Sequence, residues 1–319
     1  GRFVTYSAEQ DEFVGMFGYL RYIYTYMIYC KNGNTMHVNG ISLPADSMHI
    51  TLRGNGQWNA FPCYLQTATS VTEALSDYYN NATEGDVIKG QNSFAYFSAN
   101  GKWEGNLKTI RPGEGYFLRR MGKGNVDVNI YNRTSSNARR RNAAARQSET
   151  PLFRNPNAAN NMTMIAKVVN MEEAVNNDTR VLAYVGSELS GIASPQIVEN
   201  DTLFFITISS DIADYVTFRI QQNGEVAGTT APMFTNAAND HRGSIEAPVP
   251  LMFPKEKAIT YPTTVRFYSA TGKIIGELKN AESEQQIREY LNSITAAAGL
   301  YNAVLESDGI VKTIKMIKR

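Results

Sequence analysis

AGLYNAVLESDGIVKTIKMIKR, residues 298–319, carries the clearest local signal in the chain. Val304 and Glu306 alternate on one side of Asp308-Gly309, and Ile310, Lys312, Ile314 and Met316 alternate on the other. Asp-Gly between two alternating runs predicts a β-hairpin, because the tight turn needs a positive φ that glycine adopts without a steric penalty. Upstream, TVRFYSATGKIIGELKN (264–280) repeats the pattern around Gly272, while AESEQQIREYLNSITAAAG (281–299) places Ile287, Tyr290, Leu291 and Ile294 at helical spacing.

The same period-2 reading extends through the middle of the chain. MTMIAKVV (162–169), TRVLAYVG (179–186), TLFFITIS (202–209) and YVTFRIQQ (215–222) are bounded by Asn, Asp, Gly and Pro turns. That spacing predicts a β-sandwich over about 160–255. In the first third, Met36-His37-Val38 and His49-Ile50-Thr51-Leu52 read as short strands around the Asn39-Gly40 turn, and Met16 to Cys30 reads as a Tyr-rich strand with Tyr22, Tyr24 and Tyr26 on one face. SVTEALSDYYNN (70–81) predicts a helix: Ser70 caps it, Glu73 completes a capping box, and Val71, Ala74, Leu75 and Tyr78 form its apolar side. The expected fold class is all-β, in tandem modules: a small β module with one short helix (1–133), a linker (134–159), a β-sandwich (160–255) and an Ig-like or sorting-like terminal β domain (256–319).

Composition agrees with that class. Of 319 residues, 43% are hydrophobic and 11% aromatic, with 18 tyrosines, and aromatic and β-branched residues suit a pleated, half-buried surface. With 31 basic and 30 acidic residues there is no overall field of the kind nucleic acid or anionic lipid would attract, so no nucleic-acid partner is expected. No apolar run is long enough for a transmembrane helix. The absence of an initiator Met and of a signal peptide reads as a processed product or a fragment. The segment NRTSSNARRRNAAARQSETPLFRNPNAANN (132–161) is poor in apolar residues and carries Arg139, Arg140, Arg141 and Arg146. It reads as a solvated linker or as a basic docking or processing patch.

Motifs for chemistry are few. His37, His49 and His241 have no partner at metal-ligand spacing, and no metalloprotease, P-loop or nucleophile-elbow pattern occurs, so no catalytic residue, metal or cofactor is expected. Cys63 beside Pro62, with His37 or His49 as base, is the one thiol arrangement conceivable, and Asp86 with Glu104 the one carboxylate pair; a buried or paired thiol and turn carboxylates are the plainer readings. Cys30 and Cys63 are either a disulfide, closing a loop of about 30 residues for about 2–4 kcal/mol, or two free thiols. Trp58, Gln91, Tyr96, Trp103 and Tyr116 form a candidate ligand-binding set: flat rings for stacking a sugar, with an amide to bond its hydroxyls. The alternative is that the tryptophans are core.

One resemblance adds to this reading. Trp58-Asn59, Ser70 to Leu75, Gly85-Asp86-Val87-Ile88-Lys89-Gly90-Gln91, Trp103-Glu104-Gly105 and Pro112-Gly113-Glu114-Gly115-Tyr116 follow in order, over about 57–120. They resemble a repeat module of secreted surface proteins from bacteria with a type IX secretion system. Gln57 stands where that module usually has Gly. Asn161-Met162, Val181 to Ala193, Leu203 to Ile208 and Gly243…Pro248…Leu251 resemble the sandwich that often follows it. The tail, about 259–319, resembles the C-terminal sorting domain of the same group, with Tyr261-Pro262 running straight into the first strand and an insertion between Leu278 and Gly299. GYLRYIYTYMIYCKNG (18–33) and GYFLRRMGKGNVDVNIYN (115–132) echo each other as two half-modules. The resemblance implies a non-catalytic protein of the cell surface or exterior of a diderm bacterium, adhesive or structural. The alternative is a set of carbohydrate-binding accessory modules of a larger glycan- or peptide-degrading enzyme. The implied partners are surface glycans, other surface proteins and, through 259–319, the secretion machinery. It also implies O-glycosylation at Ser47 and Thr202, each in an Asp-Ser/Thr-aliphatic sequence.

Overall fold

The computed structural model describes residues 4–21, 24–30, 49–63, 65, 67–129, 152–171, 174–253, 261–269, 271–307 and 310–318. The fold is all-β, with 49% of the described residues in strands and 7% in helical turns. The chain divides into two compact units, Gly1–Pro254 and Lys255–Arg319.

The first unit contains two layered bodies. One is a five-stranded sheet ordered Gln57–Pro62, Gly115–Arg120, Val87–Lys89, Phe94–Phe97, Trp103–Gly105. Its inner face (Phe61, Ile88, Ala95, Tyr116, Leu118) packs on Val71, Ala74, Leu75 and Tyr78, the apolar side expected of the helix. That helix is shorter than the spacing predicts: Val71–Ala74, followed by turns and a 3₁₀ turn at Tyr79–Asn81. Ser70 Oγ accepts from Glu73 N at 3.2 Å, so the cap holds. The helix stops early because its far end is claimed by Asp86, whose carboxylate takes Tyr78 Oη at 2.5 Å and Thr83 N at 2.9 Å. His49–Leu52 is a strand as expected, paired with Val126–Asn129.

The other body is the sandwich. One sheet orders Pro195–Val198, Asp201–Ser209, Asn161–Val169 and His241–Arg242, with Val249–Met252 running parallel to Asn161–Val169. The second orders Glu188–Ala193, Arg180–Val185, Tyr215–Gln222 and Glu225–Thr229, with Phe234–Thr235 beside Tyr215–Gln222. All four runs read as strands are strands. Between the sheets, Met162, Met164, Phe204, Ile206 and Ile208 meet Val181, Ala183, Val216, Phe218 and Ile220. Asn161–Ala166 and Leu203–Ser209 are buried at every position, so both faces of this sheet are covered. The face away from the sandwich core bears Ile165, Leu203 and Phe205, and it packs on Val87, Phe94 and Tyr96 of the first module.

The Tyr-rich segment departs from expectation. Val4–Ser7 and Glu12–Gly15 form a small hairpin, but the described residues from 16 to 30 join no ladder. Tyr19, Tyr24 and Tyr29 are exposed there. Alternation makes a strand only where a partner edge takes its backbone groups, and none among the described residues does. Met36-His37-Val38, the Asn39-Gly40 turn, Tyr22 and 132–151 of the basic segment lie outside the described residues. Residues 152–160 are held on the sandwich: Asn155 Nδ2 donates to Ser209 O, and Asp211 accepts from Ala159 N and Asn160 N.

The second unit is one antiparallel sheet ordered Ile274–Ala281, Thr263–Tyr268, Gly299–Ser307, Ile310–Lys318. Ser307 pairs with Ile310, leaving a two-residue connection, the length that Asp-Gly predicts. The second layer is a helix rather than the second sheet of an Ig-like domain. Glu284–Ser293, capped by Ser283, lays Ile287 and Leu291 on Val265, Phe267, Ala303 and Met316. Lys318, part of the basic tail, is buried and donates through Nζ to Leu291 O, Asn292 O and Ile294 O, at the helix's C-terminal end.

Candidate functional site at the module junction

The junction within the first unit is built by Gly85–Gln91, and each residue of that run has a separate task. Gly85 turns at φ +90, where a side chain would be strained. Asp86 is fully buried, and besides Tyr78 and Thr83 it takes Met121 N at 2.6 Å. Burial holds its carboxyl above the ordinary carboxylate range against those hydrogen bonds. Strand alternation then sends Ile88 into the helix-covered core and Val87 and Lys89 toward the sandwich.

Lys89 is 2% exposed. Its Nζ donates to Asn161 Oδ1 at 2.6 Å, Asn161 O at 3.0 Å and Asn239 Oδ1 at 2.8 Å, and it lies 4.7 Å from the centre of the Trp58 ring. Burial pushes its pKa down to about 8. Trp58 Nε1 donates to Asn239 O at 2.9 Å, and Asn161 Nδ2 donates back to Gly90 O and Gln91 O. Asn106 bridges Phe94 N to Phe205 O. His241 stacks on Tyr96, with ring centres 5.8 Å apart, and bonds Thr163 Oγ1 through Nδ1; burial pulls its pKa down to about 4.

Beside this junction opens a cleft of about 890 Å³. Its polar lining mixes amides, Gln91, Asn92, Asn157 and Gln196 among them, with hydroxyls and with the charged Lys108, Arg111, Arg154 and Glu114, while Tyr26, Tyr29 and Phe153 supply rings. Asn92 Oδ1 and Thr207 Oγ1 are buried and have no hydrogen-bond partner.

The five residues read as a ligand set do not meet at one surface. Gln91 and Tyr116 line the cleft, but Tyr116 is 1% exposed and its hydroxyl is spent on Glu114 Oε2 and Arg111 N. Trp58 and Tyr96 belong to the junction. Trp103 packs edge-on against Phe97 at 5.0 Å. Stacking a sugar needs an open ring face, and these rings are used in packing. Sequence reasoning missed Lys89, Asn161 and Asn239, because their role depends on a contact between modules; the lone lysine in a strand otherwise apolar (Val-Ile-Lys) was the available signal.

Cys30 and Cys63 are not joined: both are free, Cys30 exposed and Cys63 partly buried, with burial pushing the Cys63 thiol up to about 11. Asp86 is spent on backbone and Tyr78, so it is no partner for Glu104 in acid–base work. Thr202 is half-buried in the strand opposite Ile197, while Ser47 and His37 lie outside the described residues. Among the described residues no group of three His, Cys, Asp or Glu is placed to hold a metal, and no helix is long and apolar enough to cross a membrane. No family model, curated protein or solved structure matches the chain.

Proposed function

We propose that this is a non-catalytic modular protein of the cell surface or exterior, with an adhesive or structural role, whose two N-terminal modules act as one rigid binding body. The single observation that carries the reading is the Lys89 junction. Two β modules share a core and a hydrogen-bonded lysine, and a protein bearing load or presenting a ligand site benefits from a joint that does not hinge. The reactive side chains support it further. The Cys63 thiol is shifted away from the thiolate that a nucleophile requires, and Asp86 is consumed in the fold. The surface address rests on the tail's resemblance alone. Deleting residues 259–319 and fractionating the cells tests it: the truncated protein should stay inside, and unchanged surface display would remove that part of the reading.

A second reading, a carbohydrate-binding accessory module, is favoured by the polar cleft, lined by amides and hydroxyls, and its two orphaned polar atoms. A buried acceptor without a partner is costly, and a sugar hydroxyl both donates and accepts. A glycan array on the folded protein should give hits that Asn92→Ala and Gln91→Ala weaken; a folded protein that binds no glycan sinks this reading.

A further inference from the structure

Lys89 is a buried amine without a counter-charge. Among the described residues no carboxylate reaches its Nζ, and its three acceptors are neutral amide oxygens. Buried lysines are ordinarily paired with an acid, so this one is unusual. Two neighbouring strands fix its position, since Lys89 is flanked by Phe117 on one side and Phe94 on the other. The facing carboxamide is equally fixed. Asn161 is 9% exposed, its Nδ2 is held by Gly90 O at 3.0 Å and Gln91 O at 2.8 Å, and its Oδ1 touches Lys89 Nζ at 2.6 Å.

We propose that Lys89 and Asn161 react to form an isopeptide bond, Nζ to Cγ, which ties the Trp-containing module covalently to the sandwich. A carboxamide is a poor electrophile, but an amine held permanently against it gains the large effective concentration of an intramolecular reaction. Burial also supplies the nucleophile, because a pKa of about 8 leaves an appreciable share of free amine under mild conditions. The Nζ lone pair adds to Cγ, and the carbonyl pair moves onto Oδ1. One Nζ proton passes to Nδ2, the carbonyl re-forms, and Nδ2 leaves as ammonia. One C–N bond forms and one breaks, with no change of oxidation state and no co-reactant. With no carboxylate to relay that proton, formation is slow and speeds up as the amine is deprotonated. Asn239 is the less suited partner, since it is exposed and its amide lacks the two carbonyls that hold Asn161.

The test is mass spectrometry of the intact chain, fresh and after incubation at about pH 9, where most Lys89 is free amine. The expected mass is that of the sequence less one ammonia, approached faster at the higher pH. Trypsin should leave Lys89 uncut and release a branched peptide joining residues 54–102 to 155–167. Lys89→Arg and Asn161→Ala should keep the full mass, and Asn239→Ala should still crosslink. The wild-type digest decides the matter even if the first two variants fail to fold. Full mass after incubation overturns the proposal. So does a lost ammonia without the branched peptide, or a branch that ends on Asn239.

Discussion

Phe204 and Phe205 are adjacent on one strand, and both are at most 1% exposed, yet they serve different cores. Phe204 fills the space between the two sandwich sheets, while Phe205 meets Phe94 of the first module at a ring-centre distance of 5.5 Å. Truncating either to Ala removes a fully buried aromatic, which costs about 3–5 kcal/mol where the site cannot collapse. The costs should be similar and the signatures different. Both tryptophans lie in the first module, and Trp58 packs in the same junction cluster as Phe205. Phe205→Ala should therefore shift native tryptophan emission to the red and separate the tryptophan-detected urea transition from the one detected by far-UV circular dichroism. Phe204→Ala should leave the native emission unchanged and lower the stability of the whole body. If Phe205→Ala costs less than about 1 kcal/mol, or leaves emission untouched, the sandwich face is not packed on the module and the rigid-body reading fails.

Other perturbations bear on separate parts. His241 is held neutral in the fold, with its pKa near 4 against an ordinary 6.5, so the unfolded chain takes up a proton first as pH falls. Stability should drop between about pH 6.5 and 4, by on the order of 3 kcal/mol, and stay level from there to about pH 8; urea titrations that show no such drop, or the same drop in His241→Phe, would refute this. Lys318→Met strips three donors from the helix end at Leu291–Ile294 and should cost about 1–3 kcal/mol, seen as faster amide exchange across Glu284–Ser293; unchanged exchange would mean that water replaces it freely. Gly105→Ala would set a Cβ 2.4 Å from Phe94 O at φ +144, so it should destabilise the first module by about 2 kcal/mol or more, and a neutral result would show the edge strand to be loosely held.

Elements that close on local chemistry were legible in the sequence. The four sandwich strands, the Ser70 cap, the terminal hairpin and the Ile287–Leu291 stripe each depend on periodicity or on a cap a few residues away. What failed depended on partners outside the element itself. The Tyr-rich run around Tyr24 alternates well, but an isolated strand has nowhere to send its backbone groups. The 70–81 helix has the pattern to continue, but Asp86 captures Tyr78 and Thr83 and turns the chain. Trp58, Tyr96, Trp103 and Tyr116 were recognisable as special, yet aromatic rings beside glycines fit a binding platform and a packed joint equally well. For Trp58 and Tyr96 the second face of the sandwich sheet decides between them, and for Trp103 and Tyr116 the helix-covered core does; neither is visible to a residue-by-residue reading.

The run Gly85-Asp86-Val87-Ile88-Lys89-Gly90-Gln91 shows how much a short segment can specify when each residue meets a different neighbour. A single strand between two layers must satisfy both, and its period of two lets it do so. Ile88 serves the inner core, Val87 and Lys89 the sandwich, and the backbone carbonyls of Gly90 and Gln91 accept from Asn161. A slip of one residue would bury Ile88 against Asn161 and drive Lys89 into the helix-covered core, where the described acceptors do not exist. The lysine therefore fixes register as well as docking, since its ammonium can be buried only where Asn161, Asn239 and the Trp58 ring converge. An apolar residue in its place would accept either register and would leave the buried Asn161 Oδ1 without its donor, so Lys89→Met should lower stability by about 1–3 kcal/mol and broaden the native spectrum; a uniquely folded, equally stable Lys89→Met protein would assign register to Asp86 instead.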